Sequence, residues 1–313
     1  MEKNAKSRKV LTILLVVIVL LLLLTFLLSL WLAGFVMTGT RQTYEEAMEW
    51  QSAHYDTSFY QELEQTDYIV DSLDGYQLHV QLLENPEPTN KYAILSHGYT
   101  DNRIGSLKYA PMYLELGYNC VIYDLRGHGG NASTFTSYGI REGQDLAELV
   151  KDTRSRYPEI SQLILHGESL GAATTLSSLQ YNPDVDLAVA DCGFSDIENV
   201  LREGYRNAHM PVFLVDLEDI GSRIRYHYAI KDMRPIDALA DNTVPILFIH
   251  GEEDSLILPQ NSVDNAGATK GYHEIYFISG AGHAESILTQ PEQYAAYVRD
   301  FISKIMEEDR SDS

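Results

Sequence analysis

The residue best suited to chemistry is Ser169, in the pentapeptide Gly167-Glu168-Ser169-Leu170-Gly171 directly after the apolar run 163–166. A serine with glycine at both second neighbours, between strand-like and helix-like segments, is typical of a nucleophile elbow. In such an elbow a tight turn lifts the hydroxyl clear of the sheet. Glycine is expected at 167 and 171 because a Cβ at either place would collide with a neighbouring strand or helix. The motif predicts a serine nucleophile, and a helix N-cap is the alternative role for Ser169.

A serine hydroxyl needs a base to take its proton and an acid to orient that base. His250-Gly251-Glu252-Glu253-Asp254 follows the apolar run 246–249 and offers three carboxylates. Gly280-Ala281-Gly282-His283 follows the last strand-like run and offers a histidine on a flexible turn. The order serine, acid, histidine matches the nucleophile-elbow fold and differs from the orders of the two better-known protease families.

The elements around these motifs alternate between short apolar runs and amphipathic helical stretches. Residues 68–70 and 76–83 flank the Asp74-Gly75 turn and predict a hairpin. The later runs are continuously apolar, as expected for strands covered on both faces. Together they predict an α/β fold with a mostly parallel, doubly wound, eight-stranded sheet. The six later runs are 92–95, 120–123, 163–165, 187–190, 246–249 and 275–278, and the helical stretches between strands include 109–116, 142–157 and 172–180.

One interval interrupts this alternation. Residues from about 194 to 240 lack a strand-like run and contain the apolar stretch 210–215 with several tyrosines. A structureless loop of that length is uncommon in a compact domain, so we expect a small helical lid over the site. The apolar stretch is compatible with a hydrophobic acyl group in the substrate, and equally with packing against the core.

The N-terminus predicts a membrane anchor. Residues 1–9 are basic, and residues 10–37 form an uncharged run longer than the roughly 20 residues that cross a bilayer core. The run is too long for a cleaved signal peptide, and the excess of basic residues before it predicts a cytoplasmic N-terminus with the remainder outside the cell. We expect a transmembrane signal anchor at 10–37, a stalk at 38–66 and one catalytic domain at 67–313.

The charge and the cysteine content exclude several classes of partner and site. The first nine residues carry a formal charge of +3 and the remainder −25, within a total of −22. Such an acidic surface argues against nucleic acid and other polyanionic partners. The two cysteines, Cys120 and Cys192, fall in different predicted strands and are expected to be buried free thiols. No Cys, His or carboxylate spacing suggests a metal site, and no cofactor is expected.

The chain resembles the α/β-hydrolase superfamily over about 68–306, and within it the membrane-anchored bacterial serine hydrolases of the esterase- and peptidase-like group. Five motifs, each after a strand and in the order of that family, carry the resemblance. They are Leu95-Ser96-His97-Gly98-Tyr99, Tyr123-Asp124-Leu125-Arg126-Gly127-His128-Gly129, the elbow at 167–171, His250-Gly251-Glu252-Glu253-Asp254, and Gly282-His283.

The resemblance assigns roles to single residues. It implies Ser169 as nucleophile, His283 as general base and then acid, and Asp254 as the acid, because the family places that acid three residues after the strand-ending glycine. It implies an oxyanion hole built from the backbone N–H groups of Leu170 and Tyr99. The Tyr99 side chain is expected either to line the acyl pocket or to pack in its loop.

Two further segments stay outside the predicted triad. In the resembled family the segment 124–128 shapes the loop after its strand, so a structural role is expected for Asp124, Arg126 and His128. Glu168, beside the nucleophile, is either a pocket residue or a buried, hydrogen-bonded acid.

The leading hypothesis is a surface-exposed hydrolase that cleaves carboxylic esters through an acyl-enzyme. A peptidase, an amidase or an acyltransferase would use the same triad, and a short peptide is an alternative substrate. An extracellular position disfavours coenzyme A thioesters, and a serine at the elbow disfavours the dehalogenase and epoxide-hydrolase chemistry that uses aspartate there. A catalytically silent surface module that binds a ligand in the same cleft is the hypothesis from another class.

Overall fold

The computed structural model describes residues 2–311 and divides them into two compact units. We call the segment up to Gly39 together with Leu201–Asp232 the anchor unit. We call Thr40–Val200 together with the chain from Met233 onward the sheet unit.

An eight-stranded sheet forms the centre of the sheet unit, with the strand order β1-β2-β4-β3-β5-β6-β7-β8. Strand β2 pairs antiparallel with both β1 and β4, and every other pair is parallel. The predicted hairpin and the mostly parallel sheet are therefore confirmed, and the chain has the α/β-hydrolase fold. The strands are β1 (Gln65–Asp71), β2 (Gln77–Leu83), β3 (Lys91–Ser96), β4 (Asn119–Tyr123), β5 (Gln162–Glu168), β6 (Leu187–Asp191), β7 (Ile246–Gly251) and β8 (His273–Ile278).

Helices of the sheet unit pack on the sheet. Helices α5 and α6 pack on each other, and α6 also lies against β5 and β6. The α-helices are α1 (Glu2–Thr38), α2 (Tyr44–His54), α3 (Ser58–Glu62), α4 (Ala110–Glu115), α5 (Ile140–Arg156), α6 (Leu170–Ser178), α7 (Ile197–Asn207), α8 (Leu214–Tyr226), α9 (Gln260–Ala268), α10 (Ser286–Thr289) and α11 (Pro291–Ser311). Short 3₁₀ helices lie at Arg103–Lys108, Leu179–Tyr181, Ile230–Asp232 and Pro235–Leu239.

The burial of the strands follows their position in the sheet. Every residue of β4, β5, β6 and β7 is buried, which explains their continuous apolar sequences. Strand β8 differs from the prediction, because five of its six residues are exposed or only half-buried. It pairs with β7 alone and forms one edge of the sheet.

The segment 38–66, predicted as a stalk, contains helices α2 and α3. Both helices belong to the sheet unit and contribute side chains that pack against its core. Helix α2 buries Ala47 and Gln51, and Tyr44 and Met48 cover the core beside them. These four positions lie on one helix face at spacings of three and four residues, so the helix gains stability by burying that face.

The anchor unit holds the predicted membrane helix and most of the predicted lid. Residues 10–28 of α1 are exposed around the whole helix, and the segment Ser7–Thr38 is apolar and long enough to span a bilayer. The interval 194–240 is helical, as expected, and its helix α8 packs on α1. At the crossing, a Cβ on Gly221 would lie 2.0 Å from the carbonyl oxygen of Ser29, so only glycine allows this approach.

Candidate active site

Ser169 lies on a strained turn between β5 and α6. Its φ of 55° and ψ of −114° are unusual for a residue with a side chain, and such a conformation costs about 1–3 kcal/mol. Both predicted glycines are needed, since a Cβ on Gly167 would lie 2.1 Å from the Gly171 carbonyl oxygen. A Cβ on Gly171 would lie 2.0 Å from the Ser96 carbonyl oxygen. The turn is held by the Ser169 backbone N–H, which donates to the carbonyl of Asp191 over 2.9 Å.

Three predicted side chains meet at the carboxyl edge of the sheet. Ser169 Oγ lies 2.9 Å from His283 Nε2, and His283 Nδ1 lies 2.7 Å from Asp254 Oδ2. Because Nδ1 faces a carboxylate, it carries the ring proton and leaves Nε2 free to accept the serine proton. Ser169 follows β5, Asp254 follows β7 and His283 follows β8, so parallel strands bring together residues far apart in the chain.

Asp254 is held by four donors. Its Oδ1 accepts the backbone N–H groups of Leu256 and Ile257, both over 2.9 Å. Its Oδ2 accepts from His283 and also from His250 Nε2, which lies 3.1 Å away. Burial alone would raise the pKa of this carboxyl, but the hydrogen bonds from the two histidines hold the pKa well below its usual range. Asp254 is therefore ionised at neutral pH.

His250 is a member of this cluster to which the sequence analysis gave no role. Its Nε2 lies 2.7 Å from the carbonyl oxygen of Ile257 as well as near Asp254, and both partners are acceptors. Nε2 therefore carries the ring proton, and Nδ1 accepts from the Ser262 hydroxyl over 2.7 Å. The signal was present in the motif His250-Gly251-Glu252-Glu253-Asp254, where a histidine stands four residues before the acid.

The two predicted oxyanion donors flank Ser169. Leu170 is the first residue of α6, where backbone N–H groups have no acceptor within the helix and the helix dipole favours negative charge. The backbone before Tyr99 also lies close to Ser169, since a Cβ built on Gly98 would lie 3.7 Å from Ser169 Cβ. The Tyr99 ring stacks on Tyr138 with ring centroids 5.7 Å apart, and Tyr99 also lines the cavity. The ring therefore packs in its loop and borders the cavity, while its role toward an acyl group stays a prediction.

The loop that carries Gly98 and Tyr99 is held by a buried histidine. His97 Nε2 accepts the backbone N–H of Leu125 over 2.9 Å, and its Nδ1 donates to the carbonyl of Gly98 over 2.7 Å. Complete burial lowers the pKa of His97 to about 4, so the ring stays neutral and keeps both bonds at neutral pH.

A cavity of about 210 Å³ opens beside Ser169 and His283, and its lining is rich in polar and charged groups. Burial raises the pKa of Asp101, one of these groups, to about 6. The remaining lining residues are Gln42, Trp50, Gly98, Tyr99, Thr100, Lys108, Glu168, Ala284, Glu285 and Leu288. A larger cavity of about 980 Å³ lies beside Lys91 and Gln162, at the opposite edge of the sheet from the serine.

Glu168 is both a pocket residue and a buried, hydrogen-bonded acid. It forms an ion pair with Lys108, and the Tyr109 hydroxyl donates to its Oε2 over 2.5 Å. The Lys108 side chain is only 5% exposed. Burial opposes its charge, but the attraction of Glu168 outweighs burial and raises the pKa of Lys108. This buried charge pair was not predicted, because Lys108 has no motif around it.

The segment 124–128 has the contacts of a structural loop. Asp124 accepts from the backbone N–H groups of Arg103 and Gly130, over 2.9 and 3.0 Å. Arg126 is 2% exposed and forms ion pairs with Asp74 and Asp145. These bonds connect the loop after β4 to the hairpin turn and to α5, which supports the structural interpretation.

Both cysteines are free and buried, as predicted. Among the residues that the structure describes, one group has side chains close enough to share a metal ion. It consists of Cys192, Asp254 and His283, with ligand atoms within 4.8 Å of one another. Asp254 and His283 are already bonded to each other, and burial raises the pKa of the Cys192 thiol well above its usual range. The group is therefore a poor metal site, since a thiol must lose its proton to bind the ion.

Comparison with known families and curated proteins agrees with this fold. The profile of the prolyl oligopeptidase family matches residues 105–308. The uncharacterized protein YqkD of Bacillus subtilis is 30% identical over 256 residues, which cover 79% of this chain and 82% of that protein. The human α/β hydrolase domain-containing protein 17C is 28% identical over 228 residues, covering 69% of this chain and 59% of that protein.

Solved structures show the same fold. The esterase Pf2001 of Pyrococcus furiosus superposes with a TM-score of 0.66 at 23% identity, covering 79% of this chain and 94% of that one. Est1E of Butyrivibrio proteoclasticus, solved with ferulic acid bound, gives a TM-score of 0.60 at 18% identity and covers 77% of this chain and 99% of that one.

Proposed function

This chain belongs to the prolyl oligopeptidase family within the α/β-hydrolase superfamily, and we propose that it is a serine hydrolase that cleaves small carboxylic esters. One observation carries the proposal: the hydrogen-bonded chain from Ser169 Oγ through the His283 ring to Asp254. A hydroxyl, an imidazole and a carboxylate in this order are the parts that nucleophilic acyl transfer requires.

The proposed mechanism has two half-reactions, the acylation and the deacylation of Ser169, and His283 acts as base and then as acid in each. His283 Nε2 takes the Ser169 proton while Oγ attacks the ester carbonyl, and the N–H groups of Leu170 and Tyr99 stabilise the oxyanion. His283 then gives that proton to the departing alcohol, which leaves an acyl group on Ser169. Water then attacks the acyl carbon while His283 Nε2 takes its proton. His283 returns that proton to Ser169 Oγ as the acyl–oxygen bond breaks, which releases the acid product and restores the serine. Asp254 keeps the proton on Nδ1 throughout.

The proposed substrate has a small or polar acyl group. The cavity of about 210 Å³ is smaller than the roughly 300–1,000 Å³ typical of drug-sized ligands. Charged side chains of Asp101, Lys108, Glu168 and Glu285 line it, and burying a long alkyl chain against them would be unfavourable. Peptide cleavage is the second candidate, because the matching family is named for oligopeptidases and the same triad serves both reactions.

Two assays separate these possibilities. An active-site fluorophosphonate should label the wild-type chain and fail to label Ser169→Ala, whereas a silent binding module would not be labelled at all. p-Nitrophenyl acetate, butyrate and octanoate, tested beside a chromogenic peptide, should show fastest turnover for the short esters. Faster amide than ester turnover would replace the esterase assignment by a peptidase.

We further propose that α1 anchors the chain in the cell membrane with the N-terminus in the cytoplasm and the sheet unit outside. Support comes from the exposed apolar surface of residues 10–28 and from the basic residues that precede it. A membrane-impermeant maleimide tests the topology, because both native thiols are buried. In protoplasts it should label Lys151→Cys, whose parent side chain is 65% exposed, and should label Lys9→Cys only after lysis.

A further inference from the structure

We infer that helix α8 lies in the outer membrane–water interface, with the side chains of Phe213, Leu217, Ile220 and Ile224 in contact with lipid. This inference rests on the membrane anchoring proposed above. It concerns the anchor unit alone, in which α8 packs on α1.

The length of α1 places α8 at the edge of the bilayer. Residues 10–28 are exposed on all sides, and at about 1.5 Å per residue they extend about 28 Å. That length matches the roughly 30 Å of a bilayer hydrocarbon core. Protein packing begins at the next residue, Ser29, which is 1% exposed and touches Gly221 of α8. The contact with α8 therefore starts where the hydrocarbon core ends.

Aromatic side chains on α1 mark the same level. Trp31 and Phe35 are 64% and 70% exposed, and their rings stack with centroids 6.3 Å apart. Tryptophan and other aromatic residues are enriched at membrane interfaces, where an apolar ring meets hydrated headgroups. Both residues lie in the part of α1 that packs against α8.

Helix α8 carries a row of apolar side chains, most of which are exposed. Phe213, Leu217, Ile220 and Ile224 recur at spacings of three and four residues and so share one face of the helix. Phe213, Ile220 and Ile224 are 60%, 48% and 47% exposed. Leu217, between Phe213 and Ile220, is half-buried. Three exposed side chains of this size on one helix face are unusual on a surface that faces only water.

On the two sides of the apolar row, α8 has one face that contacts α1 and one that is charged, as expected for a helix at a membrane interface. The face next to the apolar row holds Gly221 and Arg225, which contact α1, and Arg225 Nη1 donates to the Leu30 carbonyl over 3.4 Å. The face on the other side of the row holds the charged pair Asp219 and Arg223. The apolar row thus lies between the contact with the membrane helix and a charged face.

The charge of the anchor unit also fits a membrane surface. Residues 201–232 carry five basic and five acidic side chains, so their formal charges cancel, whereas the whole chain carries −22. The segment that would touch the headgroups therefore avoids the long-range repulsion that the rest of the chain would experience at an anionic membrane.

Site-specific labelling of the full chain in proteoliposomes tests the inference. Single cysteines at Ile220→Cys and, on the charged face, at Arg223→Cys would carry the environment-sensitive fluorophore NBD. Val17→Cys reports on the membrane helix itself, and the unmodified chain gives the background labelling of the buried native thiols. Lipids with doxyl groups near the headgroup serve as quenchers for position 220, lipids with doxyl groups in the middle of the acyl chain for position 17, and aqueous iodide for positions 220 and 223. Hydrolysis of p-nitrophenyl acetate verifies that the sheet unit of each labelled chain is folded.

We expect doxyl lipids to quench NBD at position 220 strongly, and iodide to quench it about threefold less than at position 223. Equal iodide quenching at 220 and 223 would overturn the inference while leaving the anchor intact, provided that position 17 is quenched by lipid. Protection of 220 from iodide without quenching by doxyl lipid would also overturn it, because a protein surface would then cover the row. Absence of lipid quenching at 17 would refute the anchor and the inference together.

Discussion

Replacing Asp254 by asparagine should remove almost all hydrolase activity without unfolding the chain. In the structure, Oδ1 of this carboxylate accepts the N–H groups of Leu256 and Ile257, and Oδ2 accepts the ring N–H groups of His283 and His250. An asparagine can satisfy the two backbone donors only with its carbonyl oxygen. Its NH₂ group must then face His283.

That orientation changes which nitrogen of the His283 ring carries the proton. An NH₂ group facing Nδ1 makes Nδ1 of His283 an acceptor, so the ring proton moves to Nε2. Nε2 lies 2.9 Å from Ser169 Oγ and, once protonated, can no longer take the serine proton. The same substitution in a serine-protease triad lowers kcat by ~10⁴, equivalent to about 5.5 kcal/mol of transition-state stabilisation. We expect a loss of ~10³ to 10⁴ in kcat with little change in KM.

The assay is steady-state hydrolysis of p-nitrophenyl acetate, with the fluorophosphonate labelling rate as a second measure of serine reactivity. Glu253→Gln is the matched control, since its exposed side chain lies in the same loop and it should keep wild-type kinetics. Thermal unfolding of both variants distinguishes a lost proton acceptor from a lost fold. A folded Asp254→Asn variant with kcat within tenfold of the wild type would refute the tautomer argument.

Three further predictions concern stability, measured by thermal unfolding of the detergent-solubilised chain. Gly171→Ala should destabilise it by about 2–3 kcal/mol or prevent folding, because the new Cβ would lie 2.0 Å from a backbone oxygen. Gly267→Ala in α9, where a Cβ meets no atom within 4 Å, should instead be neutral or gain up to ~1 kcal/mol, and equal effects would contradict the steric reasoning. Asp101→Asn should stabilise the chain by ~1–2 kcal/mol at pH 8 and not at pH 4. Burial raises the pKa of Asp101 to about 6, so the wild type loses stability as pH rises from the unfolded pKa through this value, and a gain independent of pH would exclude that cause. Lys108→Met should cost about 3–5 kcal/mol by leaving the Glu168 charge buried alone, and adding Glu168→Gln should recover much of it. No recovery in the double variant would show that Lys108 acts through packing instead.

The sequence predicted the fold because its strands and motifs are local patterns. Six of the eight strands contain a short apolar run, and the other two flank the Asp74-Gly75 turn. The elbow at 167–171 is recognisable from glycine spacing alone. The triad side chains are distant in the chain, yet they were predictable because parallel strands end at one edge of the sheet. Their catalytic roles remain predictions, and so does the expected position of the helical interval over the site.

The features that escaped prediction are those created by tertiary packing. Lys108 stands outside any motif. It pairs with Glu168 because the 3₁₀ helix after β3 ends at Lys108, which lies next to the last residue of β5. His250 was read only as part of a motif, since a sequence cannot show that its ring turns toward Asp254. The packing of α2 on the core was not predicted for the same reason, because an amphipathic face does not reveal what covers it.

The position of the apolar stretch 210–215 in the structure decides between the two explanations of its composition. As sequence, it was compatible with a pocket for a hydrophobic acyl group. The cavity beside Ser169 is lined by residues of the sheet unit, several of them charged, while Phe213 belongs to the anchor unit and is 60% exposed. Because a charged cavity of about 210 Å³ disfavours long alkyl chains and an exposed apolar row favours lipid contact, the two features need not serve one substrate. The apolar residues are better explained by the membrane than by the acyl group, and the polar cavity is the reason for proposing short esters as substrates.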